Sequence, residues 1–136
     1  MSQRTLVLLK PDTVRRGLVG EVLGRFEAKG LSIVALEFRT IDGETADQHY
    51  AEHVERDFYP PLRAFVTSGP LVALVLEGDE AVEVVRGLNG ATDGRKAAPG
   101  TIRGDLSLSN RENLVHGSDS PESAEREIKI WFPDLP

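Results

Sequence analysis

The sequence predicts an α+β fold of the split βαβ, or ferredoxin-like, kind: a four-stranded antiparallel sheet covered by helices. Three observations predict it. Strand and helix patterns follow one another as β-α-β, then helices, then β-α-β. The 136 residues, 40% hydrophobic and 28% charged, suit a single globular domain over residues 1–136 with a core of its own. No repeat, low-complexity tract or linker divides the chain.

Each element has a local reason. Thr5 to Leu9 reads as a short buried strand, stopped by Lys10-Pro11-Asp12. Leu18, Val19, Val22, Leu23 and Phe26 form a helical stripe that ends at Gly30. Leu31 to Thr40 alternates and reads as a second strand. Glu44 to Glu52 and Phe58 to Thr67 read as helices. Pro70 opens a third strand, Leu71 to Leu76, expected to break at Glu77-Gly78-Asp79. Glu80 to Leu88 reads as another helix. A long irregular stretch follows, roughly Asn89 to Asn113, with room for one helical turn. Leu114-Val115 is a short strand candidate, and Pro121 to Trp131 is the last helix.

Composition narrows the function classes. The formal net charge is -6, so a broad nucleic-acid face is not expected, and an anion site must concentrate its positive charge locally. There is no cysteine, which removes disulfides and thiolate metal sites and is compatible with the cytoplasm. The apolar run Leu6 to Leu9 is too short for an export signal, and Leu71 to Leu76 is far below membrane-spanning length. A cytoplasmic protein is the expectation.

The long irregular stretch is the first functional pointer, because loops of that length inside a compact domain are usually functional or disordered. It carries Thr92, Arg95, Lys96, Arg103 and Arg111 among several glycines, and reads as an anion-binding loop. It leads into Asn113-Leu114-Val115-His116-Gly117-Ser118-Asp119-Ser120. Here an apolar pair delivers His116 to a strand end. Gly117 allows a turn, Ser120 is a good N-cap, and Pro121 suits the first helical position. His116 thus lies near a helix N-terminus, which favours anions. Taken alone, it reads better as a surface histidine in a turn.

Two further side chains sharpen the pattern. On the last helix Ala124, Ile128 and Trp131 share the buried face, and Glu127 flanks it. A carboxylate there needs a partner, and an imidazole just before the same helix is one candidate; snorkelling to water is the other. Lys10 ends an apolar strand before a proline, a place where ligand sites of layered sheets gather, although a solvated strand end is common. His49 and His53 have helical i, i+4 spacing. Without an H-E-x-x-H order they read as structural or solvent-facing rather than as metal ligands. Gly20 and Gly24 make no P-loop, because no G-K-[ST] follows.

Together these residues resemble the nucleoside diphosphate kinase family. The resemblance rests on N-L-V-H-G-S-D-S at Asn113 to Ser120 and T-L-V-L-L-K-P-D at Thr5 to Asp12. It extends to H-Y-A-E-H at His49 to His53, T-S-G-P at Thr67 to Pro70 and V-L-E-G at Val75 to Gly78. P-G-T-I-R-G-D at Pro99 to Asp105 and the closing E-S-A-E-R-E-I-K-I-W-F complete it. The resemblance implies transfer of the terminal phosphate of ATP, or another triphosphate, to a nucleoside diphosphate by a ping-pong route with broad base specificity. By position, His116 would accept the phosphate, Glu127 would orient it and Ser118 would assist. Lys10 and Tyr50 would meet the transferring phosphate, Lys10 also reaching the ribose. Arg86, Thr92 and Arg103 would bind the distal phosphates, and Asn113 a sugar hydroxyl. Phe58 would stack on the base, with Leu62 beside it.

No carboxylate cluster for Mg²⁺ is evident, so the metal would arrive on the nucleotide phosphates. The resemblance also implies a homo-oligomer, tetramer or hexamer, while the short apolar runs and the acidic balance leave no membrane and no specific nucleic acid as an expected partner. Two positions depart from the family pattern. Asn110 replaces an apolar second wall of the base slot, and Asp93-Gly94 replaces an Asn-Pro or Asp-Pro pair, which leaves loop rigidity in question. A non-catalytic nucleotide-binding module on the same fold would need a disrupted catalytic set, and none is seen.

Overall fold

The computed structural model of the chain describes residues 2–136. Its strands are β1 (Ser2–Leu9), β2 (Ser32–Arg39), β3 (Leu71–Asp79) and β4 (Val115–Gly117). Its helices are α1 (Pro11–Arg15), α2 (Val19–Lys29), α3 (Gly43–His49), α4 (Tyr59–Val66), α5 (Ala81–Asn89), α6 (Ile102–Leu106) and α7 (Pro121–Trp131). The strands form one sheet in the order β2-β3-β1-β4, and every neighbouring pair is antiparallel. The predicted split βαβ arrangement is the one found.

β1 lies inside the sheet and is covered on both faces, which is why its sequence is a continuous apolar run rather than an alternation. Val7 and Leu9 point with Leu74 and Leu76 into a core closed by Val22 and Phe26 of α2 and Val85 of α5. Leu6 and Leu8 point the other way, with Ala73 and Val75. They meet Ala46 of α3, Phe65 and Val66 of α4, and Trp131 of α7. Each fully buried Leu or Val here contributes about 1.5–3 kcal/mol relative to exposure.

Several local expectations need correction. β3 does not break at Glu77-Gly78-Asp79; it continues, pairing Gly78 with Gln3. Gly78 is there for space, since a Cβ would press on the Leu31 side chain at 2.9 Å. Lys10-Pro11-Asp12 does not merely stop β1; it starts α1, with Pro11 in the first turn, where a missing N–H costs nothing. His116 is inside β4, opposite Leu8, one residue short of the strand end at which it was expected. Leu114 is outside β4 with φ of 73°, in the left-handed region. On α7 the flank and the face exchange: Glu127 is buried and Ile128 only partly so.

Candidate active site

One cleft of about 1000 Å³ lies between the sheet edge, α3, α5, the long loop and α7. Its wall includes Lys10, Tyr50, Phe58, Leu62, Arg86, Thr92, Arg103, Asn113, His116 and Glu127, residues drawn from most of the chain. Ser118 is fully buried behind them. The cations Lys10, Arg86, Arg103, Arg111 and Arg126 line it, against the carboxylates Glu52, Asp119 and Glu127. An acidic chain thus gathers positive charge at one place, which favours an anionic ligand.

His116 is delivered by β4 and held by α7. Its Nε2 meets Glu127 Oε1 at 2.8 Å. The same oxygen accepts from Ser118 Oγ at 2.8 Å. Ser118 is in turn fixed to β1, its Oγ accepting from Leu6 N at 3.3 Å and its N–H donating to Leu6 O at 3.1 Å. A buried carboxylate that engages Nε2 leaves the lone pair of a neutral ring on Nδ1. α7 is well started for this task. Ser120 caps it by accepting from Ser123 N at 3.1 Å, and Pro121 occupies its first turn.

His49 packs edge-on against His116, with ring centroids 4.5 Å apart. Its Nδ1 accepts from Trp131 Nε1 at 3.0 Å, so its own proton sits on Nε2. Burial first, then the charges of His116, Arg126, Lys10 and His53, push its pKa well below the usual histidine range. Burial thus favours the neutral form of His49 beside His116. The expected i, i+4 relation to His53 does not hold, because α3 ends at His49. His49 groups instead with His116 and Glu127. Its signal was the i, i+3 relation to the buried Ala46 on α3.

Lys10 is buried, not a solvated strand end. Its Nζ donates to Asn113 Oδ1 at 2.9 Å. Burial and then the Arg103 guanidinium lower its pKa to about 8, with Asp12 opposing them. Arg103 donates to three main-chain carbonyls: Nε to Asn113 O at 3.2 Å, Nη1 to Gly90 O at 2.8 Å and Nη2 to Val115 O at 2.7 Å. Burial first, then Arg86, lowers its pKa to about 10. It still carries its charge at neutral pH, and two of its five N–H groups remain for a ligand. Arg86 is exposed on α5 at the rim. Asn113 Nδ2 ties the long loop together through Thr92 O and Asn110 O, both at 3.0 Å. Tyr50 is buried at its hydroxyl, and burial, with Glu127 and Tyr59, raises its pKa.

Not all of the long loop serves the cleft. Arg95 pairs with Asp93 at 3.0 Å, and neither Arg95 nor Lys96 lines the wall. The Asp93-Gly94 departure is accommodated by close packing: Gly94 N donates to Ser109 O at 3.2 Å, and a Cβ at Gly94 would collide with the Ser107 carbonyl. Asn110 does line the cleft. So do Glu52, Asp119 and Arg126, which carried no expected role, and His53, expected to be structural or solvent-facing.

Among the described residues, the cluster able to hold an ion is His49, His116 and Glu127. Its two nitrogens suit zinc rather than Mg²⁺, which prefers oxygen.

The comparisons with known proteins agree with this geometry. A family model described as "Nucleoside diphosphate kinase" matches residues 3–135. A nucleoside diphosphate kinase of a Nocardioides species is 82% identical over 135 residues, covering 99% of this chain and 100% of the relative. One from Thermobifida fusca is 62% identical over 133 residues, covering 98% of each. The solved structure of a halophilic nucleoside diphosphate kinase from Halobacterium salinarum, in complex with CDP, superposes with a TM-score of 0.96 at 49% identity. It covers 98% of this chain and 90% of that one.

Proposed function

The chain belongs to the nucleoside diphosphate kinase family and is a phosphotransferase, and from that premise we propose that it carries the transferred phosphate on Nδ1 of His116. One observation carries the proposal. His116 Nε2 is engaged by a carboxylate that also holds Ser118, which leaves Nδ1 as the available nucleophile in a cleft rich in cations.

The Nδ1 lone pair attacks the terminal phosphorus of a nucleoside triphosphate, an N–P bond forms, and the bridging P–O bond breaks to release the diphosphate. The ring gains positive charge, which Glu127 stabilises through Nε2–H. A terminal oxygen of a second diphosphate then attacks the phosphorus, and the N–P bond breaks. Lys10, Arg86 and Arg103 meet the phosphate oxygens, where charge stabilisation and alignment supply most of the catalysis. Thr92 adds a hydroxyl at the distal phosphates, and Tyr50 adds one beside the transferring group. Asn113 takes the sugar hydroxyl. Phe58, 48% exposed at the start of α4, offers a face for stacking, and Leu62 supports it. Stacking ignores hydrogen-bonding edges, so base tolerance follows. Mg²⁺ would arrive on the nucleotide phosphates and would supply charge neutralisation there, with Glu52 and Asp119 as the wall carboxylates nearest in chemistry to it.

The same reading makes the chain one catalytic unit over residues 1–136, acting on ATP and other nucleoside di- and triphosphates in the cytoplasm. No helix among the described residues is long and apolar enough to cross a membrane. A homo-oligomer is part of the proposal, because β2 is an outer strand of the sheet and carries exposed Leu36 and Phe38. The test is direct. Incubation with γ-labelled ATP and Mg²⁺ should give an acid-labile, base-stable phosphoenzyme, absent in His116→Ala. Correctly folded wild type that takes up no label would sink the reading.

A further inference from the structure

We propose that Asp12 is a positioning residue of the reaction, one that holds the left-handed turn at Leu114 and supplies the counter-charge of Lys10. The inference rests on the phosphotransfer reading above and adds a residue to it.

The turn needs holding. A leucine with φ of 73° is disfavoured by its own Cβ, and such a conformation persists only where surroundings fix it. Leu114 is fully buried, so water cannot serve its main-chain groups. Both are taken by the Lys10-to-Thr13 corner. Leu114 N donates to Asp12 Oδ2 at 3.1 Å. Leu114 O accepts from Lys10 N at 2.8 Å and from Thr13 Oγ1 at 2.6 Å. This single residue separates Asn113, whose side chain holds Lys10, from the Val115-His116 strand. The flanking carbonyls of Asn113 and Val115 are two of the three that fix Arg103. Lys10, Arg103, Asn113 and His116 thus take their relative placement from one strained turn.

Asp12 is the unusual member of the corner. It is an acid only 2% exposed on a short helix, and its Oδ1 is buried with no hydrogen-bond partner. A purely structural clamp would be served by a neutral side chain. Burial raises its pKa while the charge of Lys10 lowers it, and Glu112 is the like charge nearby. Conversely, Asp12 is the group that raises the pKa of Lys10 against burial and Arg103. The two buried charges support each other across the corner.

Two substitutions separate the roles. Asp12→Asn keeps an oxygen for Leu114 N but loses the charge. Asp12→Ala loses both. In the full chain, Asp12→Asn should lose about half of the phosphorylation rate at pH 7, where a Lys10 shifted down from about 8 is half deprotonated, and recover it at pH 6. The alkaline limb of its kcat/KM profile should move to lower pH by about one unit, the scale of a nearby opposite charge. The sign follows from Lys10, which without Asp12 loses its proton at lower pH. Asp12→Ala should also lose phosphorylation rate at pH 7, roughly tenfold or more, as expected when about 1.4 kcal/mol of alignment is lost. Profiles of both variants that overlay the wild type overturn the proposal. So do losses that vanish on cooling to where both are fully folded. Wild type is labelled alongside: if it takes no label, the His116 reading fails, whatever Asp12 does.

Discussion

Glu127 Oε1 takes hydrogen bonds from two side chains at once, His116 and Ser118, so its charge and its geometry can be tested apart. Glu127→Gln can present an oxygen to the same two donors but no longer offsets the charge that develops on the ring. A hydrogen bond to a charged group is worth about 1.5–3 kcal/mol, against roughly half that for a neutral one. Expressed only as the ring becomes positive, that loss lowers kcat roughly tenfold or more and leaves KM for ATP little changed. Steady-state kinetics at saturating diphosphate read this. A rise in KM with unchanged kcat would instead make Glu127 a ground-state contact. Such a pairing was half visible in the sequence. A carboxylate on the flank of a buried stripe asks for a partner, and a histidine before the same helix offers one. That Glu127 is more buried than Ile128 was not visible, because it depends on where β1 and Ser118 sit behind α7. His49, expected to be structural or solvent-facing, was not linked to His116 for a similar reason. Its neighbours His116 and Trp131 lie 67 and 82 positions away in sequence, and only the fold brings them to it.

At the scale of elements, legibility tracks how many local signals agree. Ser120, Pro121 and a helical stripe ending at Trp131 all mark α7, and its bounds are the expected ones. Gly30, left-handed at φ of 105°, closes α2 where expected. α1 escaped because Lys-Pro-Asp is a strand stop and a helix start alike, and only the tertiary clamp on Leu114 rewards the second. β3 ran past its expected end because Gly78 marks a close approach to Leu31 rather than a turn. β2 poses a different problem. It is an outer strand of eight residues with Leu36 47% and Phe38 61% exposed, and long apolar edges invite pairing with another copy. Phe38→Lys should therefore lower the mass measured by light scattering after size exclusion, at micromolar concentration, while leaving the fold intact by circular dichroism. A wild type that runs as a monomer, or a variant of unchanged mass, removes β2 as the assembly surface.

For the molecule as a whole, the cleft stores a cost that the fold must carry, and Lys10 shows its size and sign. Its pKa falls from 10.5 to about 8 in the folded chain, which at about 1.4 kcal/mol per pH unit is a penalty of about 3 kcal/mol. Below pH 8 the side chain is charged in both states and the penalty is full. Between pH 8 and 10.5 the folded chain has lost the proton while the unfolded chain keeps it, so this group makes stability rise with pH. Catalysis should run the other way, because the phosphate needs the charged form and loses it as pH passes 8. Lys10→Met removes the penalty at every pH, at the expense of leaving Asn113 Oδ1 without its donor. The stability difference between Lys10→Met and wild type should therefore fall by about 3 kcal/mol from pH 7 to pH 10.5, whatever the Asn113 cost, since that cost is present throughout. Urea unfolding of both proteins at pH 7, 9 and 10.5 reads it, and phosphoenzyme formation in the variant should be lost at all three. A difference that does not change with pH would mean that Lys10 is as comfortable charged inside the fold as outside. The cleft would then hold no unpaired demand for a phosphate to satisfy.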